Sequence, residues 1–438
     1  MQFLRITVSI VALAALAACG GGGNKNKNRL PGERIPVLAF EQQLETDPAI
    51  ADLKVTLPAP LANPDWAQPG GAPAKAMHHL ALPQTLSKAW SVSAGKGTSR
   101  TAYLAAAPIV ADGMLFTVDT EATVQAMDAE TGRKLWSVTL PKKESKRLAF
   151  GGGVAYEGGK LVMTSGYGFV AALNAKNGEK LWQVDLQAPF RGAPTLVGGR
   201  AYVVTYDNQL FALNAENGET LWDATGIVEN ASILGTGAPA VSADTLVVGY
   251  SSGELTALRV ENGRVTWQEL LTRTGRTTAI GSLLDIDASP VIDRGRVFAI
   301  GNGGRMVSLE LTTGQRIWEV NLGGVQTPWV AGDFVYAVTN EGELVCLTRG
   351  EGRVRWLTQL QRYKDVEDQK GLVTWNGPVL AGDRLILTSS SGYVATVSPY
   401  NGELISVEKL GEGSYLPPVV ANNRLYIMTN NGRITAFR

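Results

Sequence analysis

Six prolines, Pro108, Pro194, Pro239, Pro290, Pro328 and Pro378, each open a copy of one pattern. Twenty-eight residues further on stand Trp136, Trp222, Trp267, Trp318, Trp356 and Ser406. Val154 replaces the proline in a further copy, which ends on Trp182. Four residues before each of these column positions is a glycine: Gly132, Gly178, Gly218, Gly263, Gly314, Gly352 and Gly402. Successive copies begin 38 to 51 residues apart, the spacing of propeller blades and solenoid units. The variation falls between copies, so each copy is one structural unit.

Within a copy the pattern predicts four short strands. In the one opened by Pro194 they are expected at residues 194–197, 201–205, 210–213 and 220–224, separated by Gly198-Gly199, Asp207-Asn208 and a turn at residues 214–218. Gly218 can close the third turn in the left-handed conformation without a Cβ clash. No interval between copies holds the helix that a parallel crossover needs. The last copy starts at Pro418 and reaches Arg438 after three strands, with no tryptophan. Residues 86–93 carry Trp90, 18 residues before Pro108, and supply the missing fourth strand. The expected fold is all-β: an eight-bladed β-propeller of four-stranded antiparallel blades, its ring closed by an N-terminal strand. Large aromatics recurring at one position then pack between blades and are structural.

Composition fits many tight turns and short strands. Glycine supplies 50 residues and charged side chains only 18%, against about 25% in an average domain. The 40 basic and 40 acidic residues balance, which argues against a nucleic-acid partner. Cys19 and Cys346 form no CxxC spacing, and His78-His79 lack further ligands nearby. The histidine pair therefore reads as an ordinary exposed segment.

Residues 1–18 read as an export signal, with Arg5 ahead of an apolar run too short to span a bilayer. Leu16-Ala17-Ala18-Cys19-Gly20 resembles the lipobox of bacterial lipoproteins, which implies lipidation of Cys19 and a membrane anchor. Gly20, in place of aspartate, points to the outer membrane. Residues 19–29 read as a flexible tether and 30–85 as an extended arm, with Trp66 placed to dock on the main domain. Residues 86–438 are the propeller.

No nucleophile elbow or phosphate-cradling loop is present, and Gly301-Asn302-Gly303-Gly304 falls between strands as a turn. The Gly-x-x-x-Trp ending resembles the PQQ-like repeat of quinoprotein dehydrogenases, so a periplasmic PQQ-dependent oxidoreductase is the competing reading. That class implies an adjacent cysteine pair and a calcium site, whereas Cys346 has no cysteine neighbour. The expectation is no enzyme, no cofactor and no metal. Function then falls on the connections between blades, which all open on one face. Charged residues 142–147 and 362–370, on two of these connections, read as solvated loops.

Lipobox, tether, eight PQQ-like blades and ring closure together resemble the BamB family of outer-membrane assembly lipoproteins, over residues 86–438. Phe190-Arg191-Gly192 is similar to that family's Leu-Arg-Gly loop, with Phe190 in place of leucine. Asp285-Ile286-Asp287 is similar to its Asp-x-Asp loop, while Ala188, just before the Phe190-Arg191-Gly192 loop, departs from an apolar leucine. The resemblance implies that Phe190, Arg191, Asp285 and Asp287 contact a POTRA domain of BamA. It further implies a scaffold role in the BAM complex, at the periplasmic face of the outer membrane, with unfolded barrel precursors as further partners.

Overall fold

The computed structural model describes residues 44–141, 151–227, 235, 237–271 and 284–438. Cys19, the tether and residues 142–147 lie outside them. Strands form where the copies predict. In the third blade they run Thr195–Val197, Arg200–Val204, Gln209–Asn214 and Thr220–Thr225, within about one residue of the expected bounds. Gly218 closes the third turn at φ +77°.

Among the described residues there are eight four-stranded antiparallel sheets, each a consecutive meander except the last. Blade seven comprises Trp375–Ala381, Arg384–Ser389, Tyr393–Val397 and Leu404–Lys409. In blade eight, Val419–Ala421, Arg424–Met428 and Arg433–Phe437 are completed by Lys88–Ser93 from the other end of the chain. Trp90 pairs with Ala436 and Ser91 with Thr435, so the expected closing strand is the observed one. Blade eight meets blade one where Tyr426 Oη donates to the Ala129 carbonyl at 3.1 Å.

The tryptophans pack between blades, as their repetition requires. Each indole lies over the third-turn glycine of the next blade; a Cβ at Gly178 would sit 2.6 Å from Trp136. Trp136 Nε1 donates to the Ala175 carbonyl at 2.9 Å, and Trp182, Trp222, Trp267, Trp318 and Trp356 make the equivalent bond to the following blade. Cys346 lies in the third strand of blade six, opposite Trp356, where burial pushes its thiol pKa well up and leaves it a small apolar filler. Residues 363–365 and 370–372, expected as plain loop, pair as a separate hairpin between blades six and seven.

The arm is not an appendage: the chain packs as one unit from Glu45 to Arg438. Its residues visit the blades in ring order. The Asn63 amide donates to Val420 O in blade eight, Trp66 pairs with Val110 in blade one, and Tyr156 N of blade two donates to Ala67 O. Gln68 brackets Leu196 in blade three, and the carbonyls of Pro73 and Ala74 accept from Val241 and Ile292 in blades four and five. Trp329 Nε1 of blade six donates to His78 O, and Leu80 pairs with blade seven through Leu380 and Gly382. The chain then enters blade eight as its outer strand. One circuit of the arm, by backbone and side-chain bonds, thus ties all eight inner strands together near their first turns.

This circuit corrects the reading of the histidines as exposed. His79 is buried: its Nε2 accepts from Asp383 N at 3.1 Å, so Nδ1 carries the hydrogen and donates to Pro58 O at 2.8 Å. His78 Nε2 stands 3.4 Å from Asp293. Both act as fasteners of the arm.

Candidate functional site

The connections entering blades three and five meet, and the residues singled out in sequence sit at the meeting. Phe190 bridges Thr205 and is buried among Ala155, Val162 and Leu196. The next residue, Arg191, is held by its amide on Val204 O at 3.1 Å. Its guanidinium reaches across to the connection entering blade five: Nη2 donates to Asp287 Oδ1 at 2.9 Å and stands 3.7 Å from Asp285 Oδ1. Asp285 is fixed by its carbonyl accepting from Asn302 N, and Ile286 by its amide on Tyr250 O. Gly235, on the way into blade four, approaches the same carboxylate so closely that a Cβ there would lie 1.6 Å from Asp287 Oδ1. Only glycine fits there.

All four side chains are buried, which a partner-contacting surface would not require. A solvated Arg191 with carboxylates bracing only their own loop is likewise not what the structure has. The charges close on each other across 96 residues of sequence. Arg191 Nη1 also reaches Asn208 Oδ1, and the Asn208 amide donates to Ile227 O and Ser251 Oγ at 2.6 and 2.7 Å. Among the described residues, the exposed groups beside this brace include Pro189, Tyr206 and Ile227. Tyr206 N donates to Pro189 O at 2.7 Å, and Tyr206 and Ile227 are 41% and 58% exposed. Sequence reading missed these two, because a tyrosine in a turn and an isoleucine after an outer strand carry no pattern.

Behind the brace lies the central channel, reduced to a cavity of about 120 Å³ lined by Trp66, Lys75, Ser289, Gln326 and Trp329 as well as Asp287. Trp66 and Trp329 stack there with ring centroids 6.1 Å apart. Lys75, on the arm, is fully buried and donates to Thr195 Oγ1 at 3.1 Å. Burial lowers its pKa to about 7. Asp287 moves the other way: burial, with Asp285 adding to it, raises its carboxyl to about 7 against the pull of Arg191. Its buried Oδ2 has no hydrogen-bond partner among the described residues, which makes that oxygen the natural seat of the proton.

The two shifts oppose each other in pH. Asp287 has a folded pKa above its unfolded value of 3.8, so its contribution to stability is full below 3.8 and lost as pH rises through about 7. Lys75 has a folded pKa below 10.5, so its contribution is full above 10.5 and lost as pH falls through about 7. Together they place a minimum near pH 7. Chemical denaturation across pH 5–9 should show Asp287→Asn flattening the acidic limb and Lys75→Met the alkaline limb. A profile unchanged by both substitutions contradicts these shifts.

Fold and site define a class: a PQQ-like-repeat β-propeller whose channel is packed by its own N-terminal arm and whose interblade connections are cross-braced. The chain belongs to the outer membrane protein assembly factor BamB family, whose model matches residues 84–145 and 120–358. It is 29% identical over 206 residues to the assembly factor BamB of Salmonella typhimurium, covering 47% of this chain and 50% of that protein. Against the Escherichia coli BamB it is 30% identical over 204 residues, covering 46% and 50%. These matches span about half the length of the curated relatives. The crystal structure of BamB from Moraxella catarrhalis superposes with a TM-score of 0.67 at 21% identity, over 81% of this chain and all of that one. A quinohemoprotein alcohol dehydrogenase from Comamonas testosteroni gives 0.66 at 14%, over 85% and 80%. At such identities these two likenesses are of fold alone.

Proposed function

We propose that this chain is a non-enzymatic scaffold lipoprotein of outer-membrane β-barrel assembly, tethered through Cys19 at the periplasmic face of the outer membrane. It docks a POTRA domain of BamA with the face that carries the interblade connections. The observation that carries the reading is the buried Arg191–Asp287 brace, which ties the connections entering blades three and five and presents Pro189, Tyr206 and Ile227 as a rigid rim. In this reading Phe190, Arg191, Asp285 and Asp287 shape the docking surface from beneath, and the rim makes the contact. A rigid apolar rim around a desolvated, cross-linked centre is what binding hot spots need.

Two observations favour this over a PQQ-dependent oxidoreductase. Family membership is with assembly factors. The channel, where a cofactor would have to sit, is filled by Trp66 and Lys75 down to about 120 Å³, below the ~300–1,000 Å³ of small-molecule sites. Capturing the tagged full-length chain from membranes in mild detergent should bring BamA with it, and Cys19→Ala should leave the chain unprocessed or free of the membrane. Recovery of folded, membrane-bound chain without BamA contradicts the scaffold reading.

A further inference from the structure

The propeller contains its own control experiment for what fills the space between blades. In blade one, Phe116, Ala126 and Trp136 lie side by side across strands two, three and four. The same row reads Tyr202, Ala212, Trp222 in blade three and Tyr336, Cys346, Trp356 in blade six. Blade seven breaks it: Ile386, Thr396 and Ser406 occupy these places. Both large aromatics are gone. The cover is gone too, because the outer two strands of blade eight come from distant parts of the chain and no third turn joins them. Elsewhere that turn supplies the glycine and carbonyl against which each indole rests.

The result is a cavity of about 480 Å³ at the seam, lined by Ile386, Thr396 and Ser406 on one side and Leu425, Ile427 and Phe437 on the other. Its polar lining includes the charged Lys88, Arg384 and Glu408 and the Thr396–Ser406 hydroxyl pair, 2.8 Å apart, which retains acceptor capacity for an incoming N–H or O–H. The rim is the outer strand of blade seven, where Leu404, Ile405 and Val407 are 53%, 53% and 49% exposed. This strand is an unpaired sheet edge, and its backbone can pair with an extended chain.

We propose that the seam between blades seven and eight is a docking pocket for an aromatic side chain, a tryptophan above all, presented on an extended segment of another polypeptide. The chemistry of the occupant follows from the seven seats this chain fills itself: each takes an indole carried by a β-strand. At the seam the visiting strand lies along Leu404–Lys409 and lowers its ring onto Ser406. The site is independent of the BamA-facing rim and stands or falls separately from it.

The test uses the folded protein and two capped pentapeptides: Leu-Trp-Ser-Val-Thr, copied from residues 135–139, and the same peptide with alanine for tryptophan. Titration by NMR or calorimetry should show the tryptophan peptide binding at least about tenfold more tightly, since a buried indole dominates such contacts. Ser406→Trp should fill the seat from within, raise the melting temperature and weaken peptide binding by about tenfold or more. Ile405→Lys, at an exposed position where folding is safe, should also weaken binding. Equal binding of the two peptides, no binding by wild type at millimolar concentration, or full binding by folded Ser406→Trp and Ile405→Lys would each overturn the proposal. So would a sub-micellar alkyl glucoside that occupies the seam while the tryptophan peptide does not.

Discussion

Deletion of residues 86–93 should cost the protein most of its stability. The strand they form pairs with Arg433–Phe437 from Lys88 to Ser93, and its removal leaves that ladder edge open at the one place where the ring is closed. It also removes Trp90, which rests on Gly132 of blade one and against the Tyr426 ring at 6.0 Å. Truncating a packed tryptophan alone costs about 3–5 kcal/mol. Net stability of a folded protein is about 5–15 kcal/mol, so strand and indole together take most of it. Aggregation through the exposed edge should accompany the loss. Trp90→Ala in the intact chain should lower the melting temperature less, and deletion of residues 24–60 less again, because the circuit from Asn63 to Leu80 survives. Differential scanning calorimetry with size-exclusion chromatography orders the three. A deletion of 86–93 that melts with wild type excludes closure by this strand.

Arg191→Ala should destabilise by about 3–5 kcal/mol, the cost of leaving buried charges without their partner. Asp285 and Asp287 would then face each other with no guanidinium between them, and Asn208 would lose one of its acceptor contacts. Part of the penalty is the charge left behind, so Asp287→Asn on the Arg191→Ala background should recover stability. A double-mutant cycle measures that coupling. Arg191→Lys should not rescue, because one ammonium cannot span Asn208 and Asp287 as the planar fork does. Thermal melts of Arg191→Ala that match wild type would mean the triad is solvated and braces nothing.

The tryptophan column was legible because it recurs: any single Gly-x-x-x-Trp is weak, and six in one frame leave little else to build. Closure was legible for the same reason, since the indole missing from the last copy had its match in Trp90. The arm was not. It meets most blades through one or two backbone bonds, and carbonyls such as those of Pro73 and Ala74 leave no signature in residue type. Lys75 looks like a surface lysine in an alanine-rich stretch until Thr195 and the channel close over it. For Arg191 and Asp287 the residue types and their importance could be read by likeness. Their direction could not: whether a charge faces solvent or a partner charge 96 residues away depends on which connections converge. Ser406 stood out as the odd member of its column, but the cavity it leaves depends on blade eight being assembled from both ends.

Binding of the purified mature protein to the POTRA region of BamA tests the central claim most directly, provided folding is measured in parallel. Tyr206→Glu and Ile227→Lys change exposed side chains on the braced rim and leave the brace intact. The account predicts that each weakens binding by about tenfold or more with melting curves unchanged, whereas Arg191→Ala loses binding and stability together. Rim variants that bind as wild type, or an Arg191→Ala protein that loses binding at full stability, would contradict it and return the contact to the Arg191 side chain itself.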